Sequence, residues 1–281
     1  MTPPPYRLIR PARPASAVVF ASPHSGDHYA PALLARTDLD PVALRSSEDA
    51  FVDRLFDTAP DHGAPLLAAV MPRAFIDLNR DARELDPAVI DGVHADPCNA
   101  RISAGLGVIP RVVGQGRRIW RGRISRAEAL DRIARWHSPY HARLEALMMA
   151  AQGAHGVAIL IDCHSMPGEG FGTDAMPDIV LGDRFGAACA PWVIETAEAA
   201  FATAGFTVGR NVPFAGAYST QRYGRPAAGW HALQVEIRRG LYMDEATVRP
   251  HAGFAALRAR LSAVIAELAG MAGQALPVAA E

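Results

Sequence analysis

Val157-Ala158-Ile159-Leu160-Ile161-Asp162-Cys163-His164-Ser165-Met166-Pro167 runs from an unbroken apolar stretch straight into an acid, a histidine and a serine. A short continuous apolar run bounded by polar and turn residues reads as a strand buried on both faces, as in the middle of a parallel sheet. The same order recurs twice. Ala17-Val18-Val19-Phe20-Ala21 precedes Pro23-His24-Ser25-Gly26, and Ala232-Leu233 leads into Gln234-Val235-Glu236-Ile237. In open α/β sheets, ligands and catalytic groups gather outside the carboxyl ends of the strands. Three polar clusters at three strand ends therefore predict one shared site.

Further strands are expected at Leu66 to Val70, Ile179 to Leu181 and Phe206 to Val208. Helices are expected from about Ser125 to Gln152, from Ala187 to Ala204 and from Asp244 to Gly270. Ser125 with Glu128 three residues on forms a capping box, and Pro139 should kink or divide the first of these helices. From Pro41 to Phe56 the apolar positions suit a helix, but polar Arg45 to Asp49 interrupt them. Residues 81 to 123, rich in Gly, Pro, Asp and Arg, read as a long irregular excursion; a glycine-rich loop runs from Pro167 to Asp174, and another polar loop from Asn211 to Gly229. Strands alternating with helices indicate an α/β sheet with helices on both faces. No repeat or linker divides the 281 residues, so residues 1–281 are read as one domain.

Composition narrows the function classes. With 28 Lys plus Arg against 29 Asp plus Glu, no global field draws the chain to nucleic acid or an anionic membrane. A small-molecule partner is favoured. Cys98, Cys163 and Cys189 are too scattered for a zinc ribbon or a disulfide framework. The first thirteen residues lack the apolar core of a signal peptide, and no run approaches the ~18 apolar residues of a membrane span. A cytoplasmic protein is the expectation, and nothing in the sequence sets its oligomeric state.

His24 and His164 are the first candidates for chemistry. A catalytic zinc commonly takes three His or carboxylate ligands and keeps one open position. Either histidine alone reads as easily as a structural or capping residue. Asp162 and Ser165 are placed to orient the His164 ring. Glu48-Asp49 is the best source of a third ligand, although acids at the start of a helix also complement its dipole. Asp53 reads as a surface charge. Gln234 and Glu236 share one face of their strand, which suits either a solvated edge or a carboxylate that moves a proton at a metal site. Arg73 and Arg80 flank Asp77-Leu78-Asn79, and Arg222 and Arg225 precede the Glu236 strand. Guanidinium groups bind carboxylates in pairs of bonds, so arginines around a pocket point to an acidic substrate; ion pairs with Asp77, Asp81 or Glu84 are the alternative. His28, His94, His137 and His141 read as structural, and His231 as close enough to Glu236 to meet a ligand.

Taken together, Pro23-His24-Ser25-Gly26, Ser47-Glu48-Asp49-Ala50-Phe51-Val52-Asp53, Pro72-Arg73 through Asp77-Leu78-Asn79-Arg80, Pro139-Tyr140-His141, Asp162-Cys163-His164-Ser165-Met166-Pro167, Leu181-Gly182-Asp183, Tyr223-Gly224-Arg225-Pro226 and His231 through Ile237 resemble the N-formylglutamate amidohydrolase family over roughly residues 17 to 250. The resemblance implies a three-layer α/β/α fold with a mixed, mostly parallel sheet, similar to zinc carboxypeptidases and aspartoacylases. It implies hydrolysis of N-formyl-L-glutamate to L-glutamate and formate, a step of histidine degradation. His24, His164 and Asp49, with Glu48 as the alternate, would hold zinc or another divalent metal. Glu236 would be the general base, and Asn79, Arg80, Arg73 and Arg225 would bind a small acidic N-acyl amino acid. The carboxypeptidase pair His-x-x-Glu is absent, since Asp27 stands three residues after His24; Asp27 stays a minor candidate. A related deacylase acting on another N-acyl amino acid, and a non-catalytic dicarboxylate binder, are the competing readings.

Overall fold

The computed structural model describes residues 3–94, 99–168 and 176–271. Seven strands form one sheet: β1 (Tyr6–Ile9), β2 (Val18–Ser22), β3 (Leu66–Ala69), β4 (Ala158–Met166), β5 (Ile179–Gly182), β6 (Val208–Arg210) and β7 (Trp230–Arg238), in the order β1-β3-β2-β4-β7-β5-β6. The four central strands are parallel, β1 runs against β3, and β5 runs against β7. The sheet is thus the mixed, mostly parallel one expected. A two-stranded ribbon of β8 (Met243–Asp244) and β9 (Arg249–Pro250) lies outside it.

Strand alternation divides the core into two layers. Val18 and Phe20 of β2, Ile159 and Ile161 of β4, and Leu233, Val235 and Ile237 of β7 pack against helices Pro191–Thr203 and Gly253–Ala269. Val19, Ala21, Leu160 and Ala232 face the opposite layer, which holds helix Ser138–His155 and the irregular 81–123 excursion through Val89, Ile90, Val108 and Ile109. Asp162, His164, Gln234 and Glu236 continue this second face toward the carboxyl ends of β4 and β7. Apolar contacts therefore give way to polar groups just where those strands end.

Several expected elements differ in detail. The 41–56 stretch is not one helix: Pro41–Arg45 and Val52–Leu55 are separated by a turn in which Phe51 takes a left-handed backbone, φ 66°. That turn turns the Asp49 N–H onto the His24 carbonyl at 3.0 Å. Ser125 does cap its helix, accepting from Glu128 N at 3.1 Å. The Glu128 carboxylate, however, binds Arg36 and Arg132 instead of closing the box. Pro139 lies where the helix is divided, as expected. A π-helical turn at Ile133–His137 joins Arg126–Arg132 to Ser138–His155, so the proline lies in a first turn, where its missing N–H costs least. The ribbon takes the place of the start expected for the last helix. Asp53 is buried against Arg7 of β1, a strand the proline-rich terminus concealed, and is no surface charge. Cys98 and most of the glycine-rich 167–174 loop lie outside the described residues. Among the described residues, no helix is long and apolar enough to cross a membrane.

Candidate active site

His24 stands two residues past β2, held on a turn that Gly26 makes possible: a Cβ there would lie 2.1 Å from the Met71 carbonyl oxygen. His164 lies on β4 directly opposite Glu236 on β7 in the parallel register. Asp49 reaches both histidines from its turn. Its Oδ2 is 2.9 Å from His164 Nδ1 and 3.4 Å from His24 Nδ1, and the two rings are 4.8 Å apart. All three side chains are almost fully buried.

The outer nitrogen of each ring is anchored to a different acid. His24 Nε2 donates to Asp77 Oδ1 at 2.7 Å, and His164 Nε2 lies 3.0 Å from Asp162 Oδ2. These bonds fix the rings so that both Nδ1 atoms face Asp49, the carboxylate-backed arrangement of metal-ligating histidines. His24 Nδ1 is buried and has no hydrogen-bond partner among the described residues. Such an atom costs free energy unless something else satisfies it. His24, Asp49 and His164 can together hold a metal ion, with their ligand atoms all within 4.8 Å of one another.

Charge balance follows from this packing. Burial alone would raise Asp49, but hydrogen bonds and charge from His164 and His24 hold its carboxyl well below the usual range. Asp77 is likewise low, because His24, Arg73 and Arg80 outweigh its burial. Burial works against a charged His164, yet Asp162 and Asp49 hold its pKa well above the ordinary value. Glu236 goes the other way for a carboxylate: burial pushes it up to about 7, with the Asp49 charge adding to the rise and His164 opposing it.

His24, Asp49, His164 and Glu236 line a cavity of about 390 Å³ together with Arg73, Asn79, Arg80 and Arg239. That size suits a small metabolite. Arg73 Nε is held by Asp77 Oδ2 at 2.8 Å, and Arg80 by the carbonyls of Leu106 and Asn79 at 2.9 and 2.7 Å. Asn79 donates to Asp162 at 3.1 Å and accepts from Ser219 N at 2.7 Å. Gln234 accepts from Ala217 N at 3.0 Å and donates to Glu236 Oε1 at 2.8 Å. The 211–229 loop is thereby fastened to both the histidine cluster and Glu236.

Other candidates lie elsewhere. Glu48 turns away from Asp49 to a bidentate pair with Arg45 and the Tyr29 hydroxyl. Asp27 is exposed. Arg225 is exposed and stacks on Trp230, with its guanidinium 4.5 Å from the ring, at the start of β7. Six residue steps along the strand separate Trp230 from Glu236, roughly 20 Å at ~3.3 Å per step, so Arg225 is not brought to the cavity. Arg222 is taken up by Tyr218 and Glu145. His231 begins the same strand and accepts from Ala190 N at 3.2 Å, far from Glu236. His137 and His141 do prove structural: their Nε2 atoms donate to the carbonyls of Arg80 and Leu78 at 2.9 and 2.8 Å.

Sequence reasoning missed Asp77 and Arg239 as members of the site. Asp77 figured only as an ion-pair partner of the neighbouring arginines; its position between Arg73 and Asn79, just past a strand end, was the available signal. Arg239 had no signal, because Arg238-Arg239 after a strand reads as a pair of surface charges.

Known proteins share this architecture. A family model described as N-formylglutamate amidohydrolase matches residues 16–243. An N-formylglutamate deformylase of Pseudomonas aeruginosa is 31% identical over 256 residues, covering 89% of this chain and 90% of its own. One of Pseudomonas putida is 30% identical over 205 residues, covering 70% of this chain and 71% of its own. The crystal structure of N-formylglutamate amidohydrolase from Ralstonia eutropha JMP134 superposes with a TM-score of 0.90 at 34% identity, covering 97% of this chain and 99% of the other. The fold alone is shared with a gene product of Agrobacterium tumefaciens, at a TM-score of 0.64 and 18% identity over 94% of each chain. The three strand-end clusters thus belong to a hydrolase acting on an amide, and the chain is a member of the N-formylglutamate amidohydrolase family.

Proposed function

We propose that this protein hydrolyses the formyl amide of N-formyl-L-glutamate to L-glutamate and formate, with zinc as the expected metal and another divalent ion as the alternative. The observation that carries this reading is the convergence of the His24, Asp49 and His164 cluster with Glu236 on one cavity lined by arginines. The donor set of two imidazoles and one carboxylate, with one imidazole nitrogen left unpartnered among the described residues, suits zinc. A metal bound there supplies Lewis-acid polarisation of the amide carbonyl and makes water acidic enough to react near neutral pH.

The remaining work falls to the chain. Gln234 occupies Glu236 Oε1, which leaves Oε2 to take a proton from the attacking water and pass it to the departing nitrogen. A carboxyl with a pKa near 7 is suited to do both. Arg73 and Arg80 line the cavity with their guanidinium groups positioned by neighbours, and they hold the carboxylates of the substrate.

Formate release from N-formyl-L-glutamate, measured beside N-acetyl and N-succinyl amino acids with and without chelator, tests the reading. Activity on the formyl compound, lost on chelation and restored by zinc, is the expected result. Preference for another acyl group would move the substrate to that amide, and activity unaffected by thorough metal removal would remove the metal. Glu236→Gln should keep its metal while losing turnover by roughly 10²–10⁴-fold. Normal turnover in that variant would end the assignment of Glu236 as base.

A further inference from the structure

Arg239 reaches the cavity wall from the end of β7, three residues beyond Glu236, and is 6% exposed. A cavity arginine in an enzyme for an acidic substrate invites a role as an anion hook, but its contacts argue otherwise. Nε donates to Ser165 Oγ at 3.1 Å, Nη1 to the Ser46 carbonyl at 3.0 Å and Nη2 to Asp49 Oδ1 at 3.2 Å. Three of the five N–H groups of the guanidinium, one on each nitrogen, are thus bonded to protein, which fixes its plane.

Those contacts divide the two oxygens of Asp49. Oδ1 accepts from Ser165 Oγ at 3.0 Å and from Arg239, whereas Oδ2 faces His164 Nδ1 and His24 Nδ1. Only Oδ2 is left for a cation. Ser46 belongs to the same turn as Asp49, so Arg239 grips that turn at two points and fixes where the carboxylate stands. A carboxylate restricted to one oxygen suits the small, low coordination number of zinc, while a carboxylate free to offer both oxygens suits larger ions such as calcium.

We infer that Arg239, acting with Ser165, is a positioning residue that makes Asp49 a one-oxygen metal ligand. The inference rests on the metal site proposed above. Its readout is therefore metal binding by the full chain: competition for zinc against a chromophoric chelator, and the visible spectrum of the cobalt(II)-loaded protein. Arg239→Gln should weaken zinc by ~10–100-fold, the usual effect of losing a group that orients a ligand. It should also shift the cobalt spectrum as Asp49 gains freedom to offer its second oxygen. Arg239→Lys, which keeps the charge but loses the fork, should recover part of the affinity.

A folded Arg239→Gln protein with wild-type zinc affinity and cobalt spectrum, altered only in KM, would overturn the inference and make Arg239 a substrate contact. If Arg239→Gln fails to fold, Ser165→Ala decides the matter, since it removes one donor to Oδ1 and leaves the charge in place: weaker zinc binding supports the inference and unchanged binding overturns it. Failure of the wild-type protein to bind zinc or cobalt would overturn both this inference and the metal reading beneath it.

Discussion

Two pairs of buried histidines sit within one core, and their surroundings make them different chemical objects. His24 and His164 are 2% and 3% exposed, and His137 and His141 are 3% exposed each, so burial does not distinguish them. Their partners do. The first pair is flanked by three carboxylates, Asp77, Asp49 and Asp162; the second donates to two backbone carbonyls, with the Tyr223 hydroxyl 2.9 Å from His141 Nδ1. Carbonyl oxygens favour a charged ring less than carboxylates do, and burial outweighs them, so His137 and His141 lie below their ordinary pKa, the latter far below. Carboxylates reward the charge, and His164 is raised. The same cluster of two rings and a carboxylate that favours a proton between His164 and Asp49 can hold a metal ion in exchange for it.

The comparison is broken most severely by exchanging one histidine from each pair. His164→Asn should abolish binding of a divalent ion and take the amidase activity with it, because one of the three residues that can hold the ion is gone. His141→Phe should leave metal binding intact and instead lower stability by ~1–3 kcal/mol, the cost of stranding a buried acceptor, here the Leu78 carbonyl. Metal titration and denaturant unfolding of both variants check this. Loss of metal in His141→Phe at full stability would erase the distinction.

Much of this was legible in the sequence, and the parts that were not share a cause. Apolar runs ending in His24, His164 and Glu236 marked buried strands and their exits, since a parallel strand covered on both faces has no other way to be written. Adjacent Glu48 and Asp49 could not be told apart. Their opposite directions depend on the turn that ends at Phe51, with its left-handed backbone, and no periodicity announces such a residue. Arg225 was drawn toward Glu236 by closeness in sequence, which along a nine-residue strand means distance in space. Asp77 and Arg239 act through other side chains, and a sequence shows residue types more readily than the atoms they touch.

A subtler way to sharpen the contrast is the pH dependence of stability in the metal-free protein. For His141 and His137 the unfolded chain binds protons that the fold refuses; their stabilisation is present above the ordinary value of 6.5 and is lost as pH falls below it. For His164 the fold keeps a proton that the unfolded chain releases, so its contribution is full below 6.5 and is lost as pH rises through its raised folded pKa. Glu236 adds to the decline between its ordinary 4.5 and about 7, because the folded state favours its neutral form. Unfolding of the chelated protein across pH should therefore lose its alkaline decline above 6.5 in His164→Asn, and part of its acid loss in His141→Phe. Curves that keep both limbs in both variants would show that these rings do not govern them.

The smallest effect belongs to the arginine that the fold sends to the wrong end of β7. Arg225→Ala removes an exposed guanidinium lying over Trp230, worth ~0.5–1 kcal/mol at such a site, and touches nothing in the cavity. KM and kcat for the formyl amide should both stay at wild-type values, while Arg73→Ala, which opens the cavity wall and frees Asp77 Oδ2, should raise KM. A raised KM in Arg225→Ala would mean that the 211–229 loop swings toward substrate. Its present anchors argue against that movement, because Asn79 and Gln234 hold Ser219 and Ala217 by the backbone, and the same two amides reach Asp162 and Glu236. To bring Arg225 to the substrate, the loop would have to let go of the two amides that hold Asp162 and Glu236 in place.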